Sequence, residues 1–157
     1  MNDKFYELLD RTGFVFLDGG FGTMLQATGV ETGHNPELLN ITNPDVIMNI
    51  HRQYVESGSD IVYANTFGAN RYKLKNSGYT VAEVVSAGIA IAKKAASGKA
   101  LAALDIGPIG QLLEPSGTLT FEEAYEIHKE TVLAGADADI IIIETMTDLY
   151  EVKAALL

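Results

Sequence analysis

Carboxylates and amides recur at one kind of place in this chain, directly after a short apolar run. Asp18 follows residues 14–17 and opens the cluster Asp18-Gly19-Gly20-Phe21-Gly22-Thr23; Asn65 and Thr66 follow residues 60–64; Asp105 follows residues 100–104; Glu144 follows residues 139–143. Glycines at 19, 20 and 22 let the backbone turn tightly and offer N–H groups to an anion, and the same cluster also reads as a plain turn with a capping aspartate. Asn65 and Thr66 can hydrogen-bond a polar ligand or cap the helix that follows. Asp105 and Glu144 either take backbone N–H groups in their own loops or converge with Asp18 on one mouth. There the like charges would shift one another's pKa, and an ammonium or a metal would neutralise them. The three histidines, His34, His51 and His128, have no partner at ligand spacing, and the chain has no cysteine. No metal ligand set is expected from these residues, and the helical patterns around His51 and His128 put both on helix exteriors.

The elements that must position these groups follow from periodicity. The four runs are nearly continuously apolar, as strands buried on both faces of a parallel sheet read. Helical patterns lie between them. Asn43-Pro44 opens one through Val46, Ile47, Ile50 and Tyr54 that stops at Gly58. Another starts at Thr80 and passes Val84, Val85, Ile89 and Ile91 to Ser97-Gly98. Thr120 opens a third with Glu123 completing a capping box, and it ends at Gly135. A last helix opens at Thr147-Asp148 and is still running at Leu157. Residues 1–11 are charged and helical in character.

The order is β-α repeated four times, a set of right-handed crossover units that either wind an open sheet or close a barrel. Chemically loaded strand ends favour the barrel rim. No GxGxxG follows the first strand and no P-loop occurs, which removes the signatures of nucleotide-binding open sheets. The expected fold is α/β, a (βα)8 TIM-type barrel of which residues 1–157 supply about the first four units, an N-terminal half. The apolar helix at 150–157 has no cap after it, which predicts a truncated chain whose two open sheet edges self-associate or pair with the missing half.

Composition narrows the function. Of 157 residues 47% are hydrophobic, enough for a real core, and the net charge of −10 with eleven scattered Lys and Arg excludes a phosphate-neutralising surface, so no nucleic-acid partner is expected. The longest apolar run, Ala100 to Leu104, is far short of a membrane span, and no leader pattern precedes the first helix. A soluble cytoplasmic protein without membrane partners is expected.

Five segments, 17–26, 35–40, 58–70, 106–110 and 143–148, carry a more specific signal in register: Asp18-Gly19-Gly20, Asn35-Pro36-Glu37, Asn65-Thr66-Phe67-Gly68, Gly107-Pro108 and Glu144-Thr145. Together they resemble the homocysteine S-methyltransferase family. The likeness is strongest to the N-terminal homocysteine-binding module of cobalamin-dependent methionine synthases. It implies a barrel that holds zinc through three cysteines and makes homocysteine sulfur nucleophilic as a zinc thiolate. In the methionine synthase branch, other modules of the parent enzyme supply methylcobalamin and methyltetrahydrofolate. The implied substrate-binding residues are Asp18 and Glu144 toward the ammonium of homocysteine, Gly19 and its neighbours as N–H donors, Thr66 and Asn65 as pocket wall, and Asp105 at the rim. No catalytic residue is implied among residues 1–157.

The implied enzyme is a methyltransferase of methionine synthesis whose fragment is inactive alone. The alternative is a natural half-barrel that pairs with itself or with a partner chain as a binding module. The absence of cysteine carries one expected outcome. Purified and dialysed against buffer, the 157-residue chain should retain well under one zinc per molecule by atomic absorption, and one-to-one zinc would overturn this.

Overall fold

A computed structural model describes residues 3–157. Three parallel strands, β1 (Ile61–Tyr63), β2 (Leu101–Ile106) and β3 (Ile140–Ile143), lie side by side in chain order. Ile61 pairs with Leu101 and Ala103 with Ile140. The expected first strand is reduced to a single parallel bridge between Leu17 and Ile61. The segment does run along β1, but the carboxylate of Asp60 replaces a backbone acceptor by taking the Phe16 N–H at 3.0 Å. Phe16 O in turn accepts from both Asp60 and Ile61, and the Asp18 N–H donates to Ile61 O. Side-chain oxygens pair strands at two more places: Asp18 Oδ2 takes the Tyr63 N–H at 2.9 Å and Asp139 Oδ2 the Ala102 N–H at 2.9 Å. Strands this short leave ladder groups over at their ends, and the aspartates satisfy them.

Every residue of β2 is buried, as a central strand with continuous apolar sequence requires. β3 departs from expectation. It forms the other edge of the sheet, only one flank is paired, and Ile141 remains 46% exposed.

Among the described residues, eight α-helices accompany the sheet. On one face, α6 (Val81–Ala96) packs Val84, Val85, Ile89 and Ala92 onto Val62, Ala102 and Leu104. On the other, Phe5 and Leu8 of α1 (Asp3–Thr12) pack against Ile61, Leu101 and Ala103. The expected residues 1–11 helix is thus present in its described part; Met1 and Asn2 lie outside the described residues.

The long helices match the sequence reading. α4 (Pro44–Glu56) has Pro44 in its first turn, and α7 (Phe121–Ala134) carries the Thr120–Glu123 capping box. α6 has the same box from Thr80 and Glu83, and Asp148 caps α8 (Leu149–Leu156) by accepting the Tyr150 N–H at 2.8 Å. Short elements in the connections were not anticipated: α2 (Phe21–Ala27), α3 (Leu39–Thr42) after a 3-10 turn at Pro36–Leu38, and α5 (Arg71–Leu74).

Two histidines are displaced from their expected exteriors into the core. His51 is 0% exposed and lies beside the Phe21 ring at 5.3 Å; burial pushes its pKa down to about 4. His128 is 2% exposed, with Nε2 3.7 Å from the Glu151 carboxylate. The reason is lateral packing. α4 touches both α2 and α6, and α7 touches both α6 and α8, so each helix buries a wider face than one apolar stripe.

The capping box gives a direct test of how the helical layer is held. Thr120→Ala should destabilise the chain by about 1 kcal/mol, read as a lower urea midpoint at unchanged slope, while Thr118→Ala in the exposed loop before it leaves the midpoint in place.

Candidate functional site

All three strands run the same way, so their carboxyl ends and the loops after them share one side of the sheet. That side holds a cavity of about 510 Å³ whose wall includes Asp18, Gly19, Asn65, Asp105 and Glu144. Five of the six residues singled out from sequence therefore meet at one place. Thr66 does not. It is 1% exposed, and its hydroxyl donates to Asp105 O at 2.9 Å while accepting the Asp105 N–H at 3.1 Å. It joins the end of β1 to β2 behind the wall and holds Asp105 by its backbone. Neither Asn65 nor Thr66 caps a helix; Asn70 does, accepting the N–H groups of Tyr72 and Lys73. The Asn65 amide nitrogen donates to Pro36 O and to Asn40 Oδ1, both at 3.0 Å.

Three further wall residues carried no signal in spacing: Glu37, Tyr63 and Phe67. Glu37 lies in a segment whose sequence stood out, but nothing in its local pattern says that its side chain turns inward. Gly19 has a steric role of its own, because a Cβ there would lie 3.2 Å from the Tyr54 hydroxyl.

Four carboxyl groups, Asp18, Glu37, Asp105 and Glu144, thus face one cavity, and no Lys, Arg or His is in its wall among the described residues. Burial pushes the Asp18 carboxyl up to about 7, opposed by the Tyr63 N–H and reinforced by the charge of Glu144. Burial, then the charges of Glu144, Asp18 and Glu37, push Asp105 up to about 8. Asp105 Oδ1 is buried with no hydrogen-bond partner. The Tyr63 phenol is also raised, by burial and then by Glu144, Asp105 and Asp18. A wall of this kind is complementary to a cation that brings its own N–H donors, because each N–H on a carboxylate forms a charge-assisted bond in a poorly solvated place.

Zinc is a poorer match. Among the described residues no group of three His, Cys, Asp or Glu side chains is placed to hold a metal ion. The cavity offers carboxylate oxygens, not the thiolates and imidazoles that zinc prefers, and the buried His51 and His128 stand against Phe21 and Glu151. The described residues do not compose a zinc site.

Comparison with known proteins decides the family. The sequence profile of the homocysteine S-methyltransferases matches residues 15–157. This chain belongs to that family. It is 38% identical over 160 residues to a methionine synthase of Mycobacterium tuberculosis, covering 89% of this chain and 13% of that protein. With homocysteine S-methyltransferase 1 of Zea mays it shares 28% identity over 173 residues, covering 90% of this chain and 53% of that one. The chain therefore spans about half, or much less, of the relatives it matches. The metallated homocysteine methyltransferase MmuM of Escherichia coli superposes with a TM-score of 0.84 at 22% identity, over 94% of this chain and 59% of that one. That likeness is one of fold. Among the described residues no helix is long and apolar enough to cross a membrane.

The raised carboxyls fix the sign of a pH dependence. Asp18 and Asp105 bind their protons more tightly in the folded chain than at the unfolded value of 3.8, so the linked stability is complete below that value and is lost as pH rises through about 7 and about 8. The urea midpoint should fall between roughly pH 5 and roughly pH 9, and Asp105→Asn should flatten the fall. A midpoint that rises over that interval, or an unchanged slope in the variant, would contradict the arrangement.

Proposed function

We propose that residues 1–157 are the substrate-recognition half of a homocysteine S-methyltransferase, folded as the N-terminal half of a (βα)8 barrel. The observation that carries this is the cavity at the strand ends, walled by four carboxyl groups with no Lys, Arg or His in the wall among the described residues. Homocysteine supplies what is missing, an ammonium with three N–H donors. Asp18 and Glu144 receive it from opposite edges of the sheet, with Asp105 on the strand between them. Gly19 and the backbone N–H groups of its loop face the substrate carboxylate. The strand order, unreversed from β1 to β3, supports a closing barrel over a doubly wound sheet.

In this reading the chain binds and orients the amino-acid end of the substrate. Thr66 and the Tyr63 N–H hold Asp105 and Asp18 at fixed positions, and the nonpolar Phe21 and Phe67 limit water beside the charges. The reaction places a methyl group on the homocysteine sulfur to form methionine. The groups that activate the sulfur and donate the methyl, zinc and methylcobalamin in the resemblance to methionine synthases, would come from outside residues 1–157.

The open edges need a cover. Phe14, Phe16 and Leu17 are exposed on one and Ile141 on the other. In this reading the rest of the barrel covers both, and a second copy of the chain is the substitute when that half is missing.

Titration calorimetry with homocysteine and methionine tests the site. Binding to this chain should weaken at least tenfold in Asp18→Asn and in Glu144→Gln. Asp18→Asn keeps an acceptor for the Tyr63 N–H, so it separates charge from strand pairing. Unchanged affinity in both variants would sink the reading.

A further inference from the structure

Residues 35–40 stood out in sequence, and of them Pro36 and Glu37 line the cavity. In the structure they are bonded along their length to residues 65–73. Asn35 Nδ2 donates to Lys73 O at 3.2 Å, Pro36 O accepts from Asn65 Nδ2, and Asn40 Nδ2 donates to Asn65 O at 2.8 Å. At the centre Glu37, 5% exposed, takes the Gly68 N–H on Oε1 at 2.7 Å. The approach is so close that a Cβ on residue 68 would lie 2.6 Å from that oxygen.

The same peptide carries the connection onward. Phe67 O accepts the Gly107 N–H at 3.1 Å, and the Phe67 ring lies where a Cβ of residue 107 would meet it at 2.4 Å. Lys73 Nζ stands 5.3 Å from the centre of the same ring. Phe67 is therefore held at its amide plane by Glu37 and Gly107, and its ring is confined between the Gly107 backbone and the lysine.

We infer that Glu37 is a positioning residue, whose carboxylate fixes the Phe67–Gly68 peptide and so sets the Phe67 wall of the cavity. The inference rests on the homocysteine reading only for the choice of ligand. Burial raises the Glu37 carboxyl, while the Gly68 N–H and Lys73 draw it down, in keeping with a group held in place by neighbours rather than by water. What the role requires of Glu37 is an acceptor at that point. A glutamine keeps the acceptor and drops the charge; an alanine drops both.

The experiment combines amide hydrogen exchange with calorimetry on the chain and its Glu37→Ala and Glu37→Gln variants, homocysteine being the probe. In Glu37→Ala the Gly68 and Gly107 amides should exchange at least tenfold faster, while those of Tyr72 and Lys73, held by Asn70, stay protected. Homocysteine affinity should fall about tenfold with them. Glu37→Gln, whose amide oxygen still accepts the Gly68 N–H, should restore the protection of both amides to within about threefold of the parent chain, and it keeps the test available if the alanine variant fails to fold. Unchanged Gly107 protection in Glu37→Ala would overturn the positioning role. So would a glutamine variant whose Gly68 and Gly107 amides exchange as fast as those of the alanine variant, because an acceptor at that point would then not be what holds the peptide. A parent chain that binds no homocysteine would defeat the proposed function alone, and Gly107 exchange would still decide the role of Glu37.

Discussion

Four carboxyl groups share one cavity, and among the described residues its wall holds no Lys, Arg or His. This is the constraint on which the rest depends. Ionised carboxylates in a poorly solvated space raise one another's pKa, and Asp105, with one oxygen buried and unbonded, bears the most of it. The rest of the fold contains this cost. Thr66 holds the Asp105 backbone on both sides, Asp18 receives a strand N–H, and Glu37 receives a loop N–H. The repulsion falls when a carboxyl binds a proton, as the raised Asp18 and Asp105 do, or when a positive group lies against the wall.

Asp18 shows how economical the arrangement is. One of its oxygens completes the pairing of the first segment with β1, where the backbone ladder has shrunk to a single bridge. The same carboxyl belongs to the cavity wall. Its position at the cavity wall is thus set by strand pairing and not by side-chain packing. Asp60 and Asp139 do comparable pairing without facing the cavity. The rim carboxyl of Asp18 is held by a device the sheet also employs elsewhere for its own cohesion.

The family accounts for the fold and for the register of the five segments, but the chain spans only part of the relatives it matches. Its two sheet edges differ accordingly from the central strand. β2 is closed on both flanks and buried throughout, whereas Phe16 and Ile141 stand exposed on the outer segments. A continuous apolar sequence shows what a strand could bury, and the presence of a neighbour decides whether it does.

By itself, the sequence determined what depends on near neighbours in the chain. The caps at Thr120 and Asp148, the proline start of α4 and the run of β2 are legible because backbone donors and side chains a few residues apart satisfy one another. The placement of Asp18, Asp105 and Glu144 on one rim is also legible, since parallel strands put their ends on one side. Only the tertiary structure decided the rest. Thr66 faces away from the cavity because Asp105 claims its hydroxyl, and Glu37 faces into it because Gly68, thirty-one residues on, offers an N–H. His51 and His128 enter the core because helices flank theirs on both sides. In each case the deciding partner is distant in sequence, and periodicity holds no record of a contact that chain closure creates.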